Sequence, residues 1–201
     1  MHEHRRWSMD APRPPVRPPT PSAVVLGRFQ PFHRGHATLI RAAIQAHPAV
    51  RIAIGSAQTD PGPDDPWTWP EREAMIRAWL DDEGLDAEIV AIPDLHDPPR
   101  YVEHAEAWHG EAGTLVTSDD ATAELYRTSG WSVDLVDLVE RERLQGWRIR
   151  RTALMLSTVL EEEGVRAALE ASIPSAVVHW LMQEDRLHRL STLGPGFPPV
   201  G

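Results

Sequence analysis

From residue 23 to residue 136 the sequence alternates short apolar runs with longer stretches of helical periodicity, and few folds accept that rhythm. Residues 23–26 are apolar and end at Gly27, which reads as a buried strand. Residues 37–46 place Leu39, Ile40, Ala43 and Ile44 on one helical face. The same pairing recurs: strands over 51–54, 88–92, 114–117 and 133–136, helices over 71–82, 100–109 and 121–129. Strand–helix alternation predicts an α/β fold with a doubly wound, Rossmann-like parallel sheet of about five strands. Beyond the last strand, residues 150–163, 165–172 and 174–190 all carry helical periodicity. They are expected to form a C-terminal helical cap on the sheet.

The chain of 201 residues is read as one domain over residues 23–190. Residues 1–22 are rich in Pro and Arg, and are expected to be a disordered arm. Residues 191–201 are expected to be a flexible tail. Twenty cationic against thirty acidic side chains give a net charge of -10, which argues against a general nucleic-acid binder. With no cysteine, disulfides, thiolate metal sites and cysteine nucleophiles are excluded. No apolar run has the length of a membrane span, and no apolar stretch follows the basic N-terminal residues, so the cytoplasm is the expected compartment. A homo-oligomer is the expected assembly. There is also no lysine and no asparagine. A phosphate clamp here must be built from Arg, His, hydroxyls and backbone N–H groups.

In doubly wound sheets ligands bind beyond the carboxyl ends of the strands. The first such loop is Gly27-Arg28-Phe29-Gln30-Pro31-Phe32-His33-Arg34-Gly35-His36. It lacks the glycines of a dinucleotide fingerprint and the G-K-[ST] of a P-loop. It is a glycine turn followed by two histidines that frame a glycine at a helix start. That end of a helix presents free N–H groups to an anion. His33 and His36 are three residues apart, so both can reach one spot. They can be read as metal ligands, as structural histidines or as donors to a phosphate chain. No further ligand lies close in sequence, and the ordered context of the loop favours the phosphate reading.

The string from Gly27 to His36 resembles the signature of the HxGH nucleotidyltransferases, and within them that of archaeal-type nicotinamide-mononucleotide (NMN) adenylyltransferases. Ile54-Gly55-Ser56-Ala57-Gln58 matches that family's I-G-S-A-Q. Pro66-Trp67-Thr68-Trp69-Pro70-Glu71-Arg72 resembles P-F-T-x-G-E-R. Ile92-Pro93-Asp94 resembles its P-x-D, and Ile149-Arg150 the end of G-[ST]-x-I-R. The resemblance implies transfer of a nucleoside monophosphate, AMP from ATP to NMN, with release of pyrophosphate and Mg²⁺ carried in with the triphosphate. It assigns no protein metal ligand. His33, His36 and Arg150 would be catalytic, as donors to the phosphates. Gly27, Arg28, Phe29, Gln30, Arg34, Gly35 and Ile149 would form the nucleotide and phosphate site. Ser56, Gln58, Asp94, Tyr101, Asp119 and Trp147 would line the acceptor site. Glu71 and Arg72 read equally well as a solvent-facing first helical turn.

Three departures fall on the acceptor side. Trp147 stands where the family has Ser or Thr, Tyr101 where it has Trp, and Asp119 where it has Asn. Asp119 can accept from an amide N–H₂ but cannot donate to its carbonyl. Two other readings therefore stay open: CMP or AMP transfer to a small phosphate or phosphonate, and a non-catalytic nucleotide-binding regulator.

Overall fold

The computed structural model describes residues 12–15, 22–111 and 113–194. Residues 12–15 have no regular secondary structure, and the rest of the expected arm before residue 22 lies outside the described residues.

Five strands alternate with four helices: β1 (Ser22–Gly27), α1 (Arg34–Ala46), β2 (Val50–Ile54), α2 (Trp69–Glu83), β3 (Glu88–Ala91), α3 (Pro98–His109), β4 (Gly113–Thr117), α4 (Asp120–Thr128) and β5 (Ser132–Leu135). All pairings are parallel, in the order β3-β2-β1-β4-β5. The expected Rossmann-like sheet is therefore present. The chain winds outward from β1 to β3, then crosses back to lay β4 beside β1. That reversal opens a crevice at the carboxyl ends of β1 and β4.

Side chains alternate between the two faces of the sheet. Ala23 and Val25 point into a core with Ile40, Ala43, Met75 and Trp79 of α1 and α2. Val24 and Ala53 point the other way, onto Val102, Ala105 and Tyr126 of α3 and α4. Burial on both faces explains why the strands read as continuous apolar runs. Helix α3 begins earlier than its periodicity predicts. Pro98 and Pro99 occupy its first turn, where no backbone N–H is needed.

The C-terminal part is helical but more broken than the sequence suggests: α5 (Gly146–Leu156), α6 (Glu162–Glu170), α7 (Ser175–Met182) and α8 (Leu190–Leu193). The expected helix over 150–163 stops at Leu156, where the Ser157 hydroxyl donates to the Leu154 carbonyl at 2.7 Å. Glu161 then caps α6 by accepting from the N–H groups of Glu163 and Gly164. The helix expected over 174–190 stops at Met182, because Glu184 and Asp185 adopt φ of 50° and 56°. Residues 191–193, expected to be frayed, are helical behind a buried Leu190, and residues 195–201 lie outside the described residues. Ile149, Ala153, Leu169, Val177, Val178 and Leu181 share one core with β1, α1 and α2. Among the described residues no helix is long and apolar enough to cross a membrane.

Candidate active site

The loop after β1 is built around two aromatic rings. Phe29 (φ 54°) and Phe32 turn inward and are buried. The His36 ring packs on both, with centroids 4.7 Å from Phe29 and 5.7 Å from Phe32. His33 is the N-cap of α1, in extended conformation, and its ring stacks on His36 at 3.6 Å. The backbone N–H of His33 donates to Nδ1 of His36 at 3.3 Å. A neutral His36 therefore carries its proton on Nε2, as a donor. Burial, reinforced by the nearby Arg150, lowers His33 from 6.5 to about 4. Burial, then the neighbouring His33, pushes His36 well below its ordinary value. Both rings are neutral at neutral pH. Gly35 makes the stack possible: a Cβ there would lie 3.0 Å from Cε1 of His33.

Above the stack is a cavity of about 620 Å³, bounded by Arg28, Phe29, Gln30, His33, His36, Asp64, Asp65, Gly146, Trp147 and Arg150. Arg150 reaches it from α5 and is fixed by donation from Nη1 to the Gln30 carbonyl at 2.8 Å. Burial, then Arg28, lowers its pKa. A side chain at Gly146 would crowd this contact, since a Cβ there falls 3.3 Å from Nη1 of Arg150.

Three residues lock the surrounding loops. Gln30 exchanges two hydrogen bonds with the Trp67 backbone, donating at 2.7 Å and accepting at 3.1 Å. Arg72 is fully buried and donates to the carbonyls of Arg28 and Gly55 at 2.8 Å and of Ser56 at 3.1 Å. It ties the loop after β1 to the loop after β2. Burial lowers Arg72 to about 10, which still leaves it a cation. The solvent-facing reading of Arg72 is thus overturned. Glu71 caps α2 by accepting from the N–H and hydroxyl of Thr68, and it pairs with Arg189 at 2.7 Å. Burial works against its ionisation, but Arg189 and Thr68 together hold the carboxyl below its usual range.

A second cavity of about 540 Å³ lies over the ends of β1 and β2, bounded by Gly27, Arg28, Gly55, Ser56, Asp94, His96, Asp97, Pro98, Tyr101 and Thr122 among others. The Ser56 hydroxyl donates to Asp94 Oδ2 at 3.4 Å. Burial, then Asp94, raises the pKa of the Tyr101 hydroxyl, so it stays protonated. Arg28 belongs to both cavities and forms the wall where they meet.

The structure brings together most of the residues expected at the site, but redistributes some. Arg28, Phe29, Gln30, His33, His36 and Arg150 share the first cavity, with Gly35 directly beneath. Trp147, expected beside the acceptor, borders this cavity instead, and its Nε1 donates to Gln145 at 2.7 Å. Gly27, Ser56, Asp94 and Tyr101 line the second. Besides Gly35, four expected residues line neither. Arg34 turns away to donate to the Glu170 carbonyl at 2.9 Å. Ile149 is buried in the core and anchors α5 beneath Arg150. Gln58 is engaged with both backbone groups of Asp94, at 3.2 and 2.7 Å. Asp119 caps α4, accepting from the N–H and hydroxyl of Thr122 at 2.8 Å, with Arg141 at 3.6 Å. The Thr122 N–H, against the cost of burial, holds its pKa down. Asp64, Asp65, His96 and Asp97 escape sequence reasoning because they sit in Pro-rich loops without periodicity.

The sequence profile of the cytidylyltransferase-like family matches residues 24–188. The nicotinamide-nucleotide adenylyltransferase of Picrophilus torridus is 33% identical over 129 residues, 64% of this chain and 76% of that protein. That of Methanolobus tindarius is 29% identical over 171 residues, 85% of this chain and 93% of the relative. A solved bifunctional NMN adenylyltransferase/ADP ribose pyrophosphatase from Francisella tularensis superposes with a TM-score of 0.64 at 20% identity. The superposition covers 86% of this chain and 53% of that one, so this chain spans about half its length and the likeness concerns the fold. The profile covers nearly the whole sheet, the loop of paired histidines and the helix that carries Arg150, and the chain belongs to the cytidylyltransferase-like family.

Proposed function

We propose that the chain transfers the adenylyl group of ATP to the phosphate of nicotinamide mononucleotide, with release of pyrophosphate. The observation that carries this reading is the meeting of two cavities at Arg28, one over the stacked histidines and one over the ends of β1 and β2. A triphosphate in the first and a mononucleotide in the second would bring acceptor phosphate and α-phosphorus together at that wall. The acceptor oxygen attacks the α-phosphorus and the bond to the β-phosphate bridging oxygen breaks. No protein nucleophile is needed, so catalysis is positioning and charge stabilisation. His36, with a proton on Nε2, donates to the phosphoryl oxygens as charge grows on them, and His33 stacks against it. Arg150 holds the departing phosphates. The relatives' names support ATP and NMN as substrates.

A divalent cation carried by the triphosphate is part of this reading, and when bound it neutralises phosphate charge. Asp64 and Asp65 offer the hard oxygen donors that suit Mg²⁺. A homo-oligomer is proposed as the assembly. The test is a screen of pyrophosphate release, with ATP or CTP against NMN, nicotinate mononucleotide and small phosphonates. ATP with NMN is expected to be the productive pair. Release only with a small phosphonate would move the chain to the other transfer reaction. Nucleotide binding with no release from any pair would make it a regulator.

A further inference from the structure

Helix α8 is tied to the candidate site through one side chain. Arg189, the N-cap of α8, sends its guanidinium to the segment that enters α2. Its Nη1 pairs with Glu71 Oε1 at 2.7 Å, and its Nη2 donates to the Pro66 carbonyl at 3.1 Å. The other carboxylate oxygen of Glu71 accepts from the N–H and hydroxyl of Thr68, at 2.9 and 2.8 Å. Pro66 and Thr68 are therefore held from the side of the C-terminal helices. Trp67, between them, is held from the other side, where its N–H and carbonyl meet the Gln30 amide.

Gln30 passes this restraint on. Its side chain faces Trp67, while its backbone carbonyl accepts from Nη1 of Arg150 at 2.8 Å. Every link from Arg189 to Arg150 is thus either a direct hydrogen bond or the rigid backbone of adjoining residues. Pro66, Trp67 and Gln30 are buried, so none of them can shift without moving its partner. Stability alone does not account for Arg189. Leu187 and Leu190, on either side of it, are buried and anchor this part of the chain without it. The Arg189 and Glu71 side chains keep 37% and 21% exposure, and ion pairs open to water add little to stability.

We infer that Arg189 is a positioning residue for Arg150, acting through residues 66–68 and Gln30 rather than on a substrate. The inference rests on the adenylyl-transfer reading, in which Arg150 holds the departing phosphates. Arg189 itself borders neither cavity. Its two contacts, to a carboxylate and to a carbonyl, need two N–H groups fixed in one plane, which a guanidinium supplies and an ammonium does not.

The test uses the full chain, with turnover of ATP and NMN measured by pyrophosphate release and affinity for inorganic pyrophosphate measured by calorimetry. Displacing a positioned group by a fraction of an ångström is expected to cost about ten-fold. Arg189→Ala should lose about that factor in kcat and in pyrophosphate affinity, with KM for NMN and the urea midpoint close to those of the wild type. Arg189→Lys should fall between. The same Arg189→Ala change is then made in an Arg150→Lys chain. Residues that act through one another are non-additive, so there it should cost less than about two-fold. An equal loss in both backgrounds, with KM for NMN and the urea midpoint moving too, would mark a merely structural role and overturn the inference. Unchanged kcat in Arg189→Ala would overturn it as well. A wild type that releases no pyrophosphate from ATP and NMN would instead fail the adenylyl-transfer reading, and take the inference with it.

Discussion

His36 shows how one side chain is prepared by its surroundings. Two phenylalanines set its plane, the His33 ring covers it, and a backbone N–H fixes its tautomer. Losing one preorganised donor to a developing phosphoryl charge typically costs about 100-fold in kcat. His36→Ala is expected to show that loss in a pyrophosphate-release assay while its circular dichroism stays that of the wild type. Near-normal turnover would remove His36 from the mechanism. Acceptor choice is also set by single residues. Asp119 is engaged as a helix cap, so it is not free to read a carboxamide. Asp94 and Asp97 do border the second cavity, the one proposed for the acceptor. A nicotinate carboxylate entering there would meet like charge, and a repulsion of ~1.4 kcal/mol corresponds to a factor of ten. We expect kcat/KM for NMN to exceed that for nicotinate mononucleotide about ten-fold. Asp94→Asn should narrow the gap, and a preference for the acid form would refute the argument.

Among the elements, the loops after β1 and β2 depend on one guanidinium. Arg72 is buried beneath them and satisfies three backbone carbonyls. Arg72→Ala strands those acceptors, at a cost of about 3 kcal/mol or more. Arg72→Lys keeps the charge but not the fork of donors. Urea unfolding should rank wild type above Arg72→Lys above Arg72→Ala, and an Ala variant of unchanged midpoint would show that the loops hold themselves. The strands and the first helices were legible in sequence because doubly buried strands and amphipathic helices each have a short period. The breaks in the C-terminal helices were not. Ser157 and Glu161 act as caps there, and Glu184 and Asp185 adopt left-handed φ, choices that packing makes. The histidine loop was legible because its residues are contiguous. Arg72, Asp64 and Asp65 were not, since their partners lie 16 to 44 positions away or across a cavity. Trp147 borders the histidine cavity, which the sequence could not show, because a departure from a motif says what is missing, not which cavity the new side chain borders.

For the whole molecule, buried neutral histidines tie stability to pH. His33 and His109 are each lowered from 6.5 to about 4, chiefly by burial, and His36 is lowered well below its ordinary value for the same reason. In the unfolded chain all three take up a proton near their ordinary value. Between pH 6.5 and about 4 the unfolded state therefore binds more protons, and stability falls as pH falls. Above 6.5 the contribution is constant. Each group adds a slope of up to about 1.4 kcal/mol per pH unit within that window. Urea midpoints should be flat from pH 8 to 7 and decline steeply from 6 to 4. A His109→Gln variant should show a shallower decline, and a midpoint that holds to pH 4 would contradict the burial of neutral rings. Across the same molecule, the two cavities meeting at Arg28 give the central claim, direct transfer of an adenylyl group between two bound phosphates. The most direct measurement uses ATP labelled on its α-phosphate, incubated with NMN and the purified chain. The account predicts that the label moves into the dinucleotide, one dinucleotide for each pyrophosphate released. Label that stays in ATP, or appears only in free AMP, would contradict it.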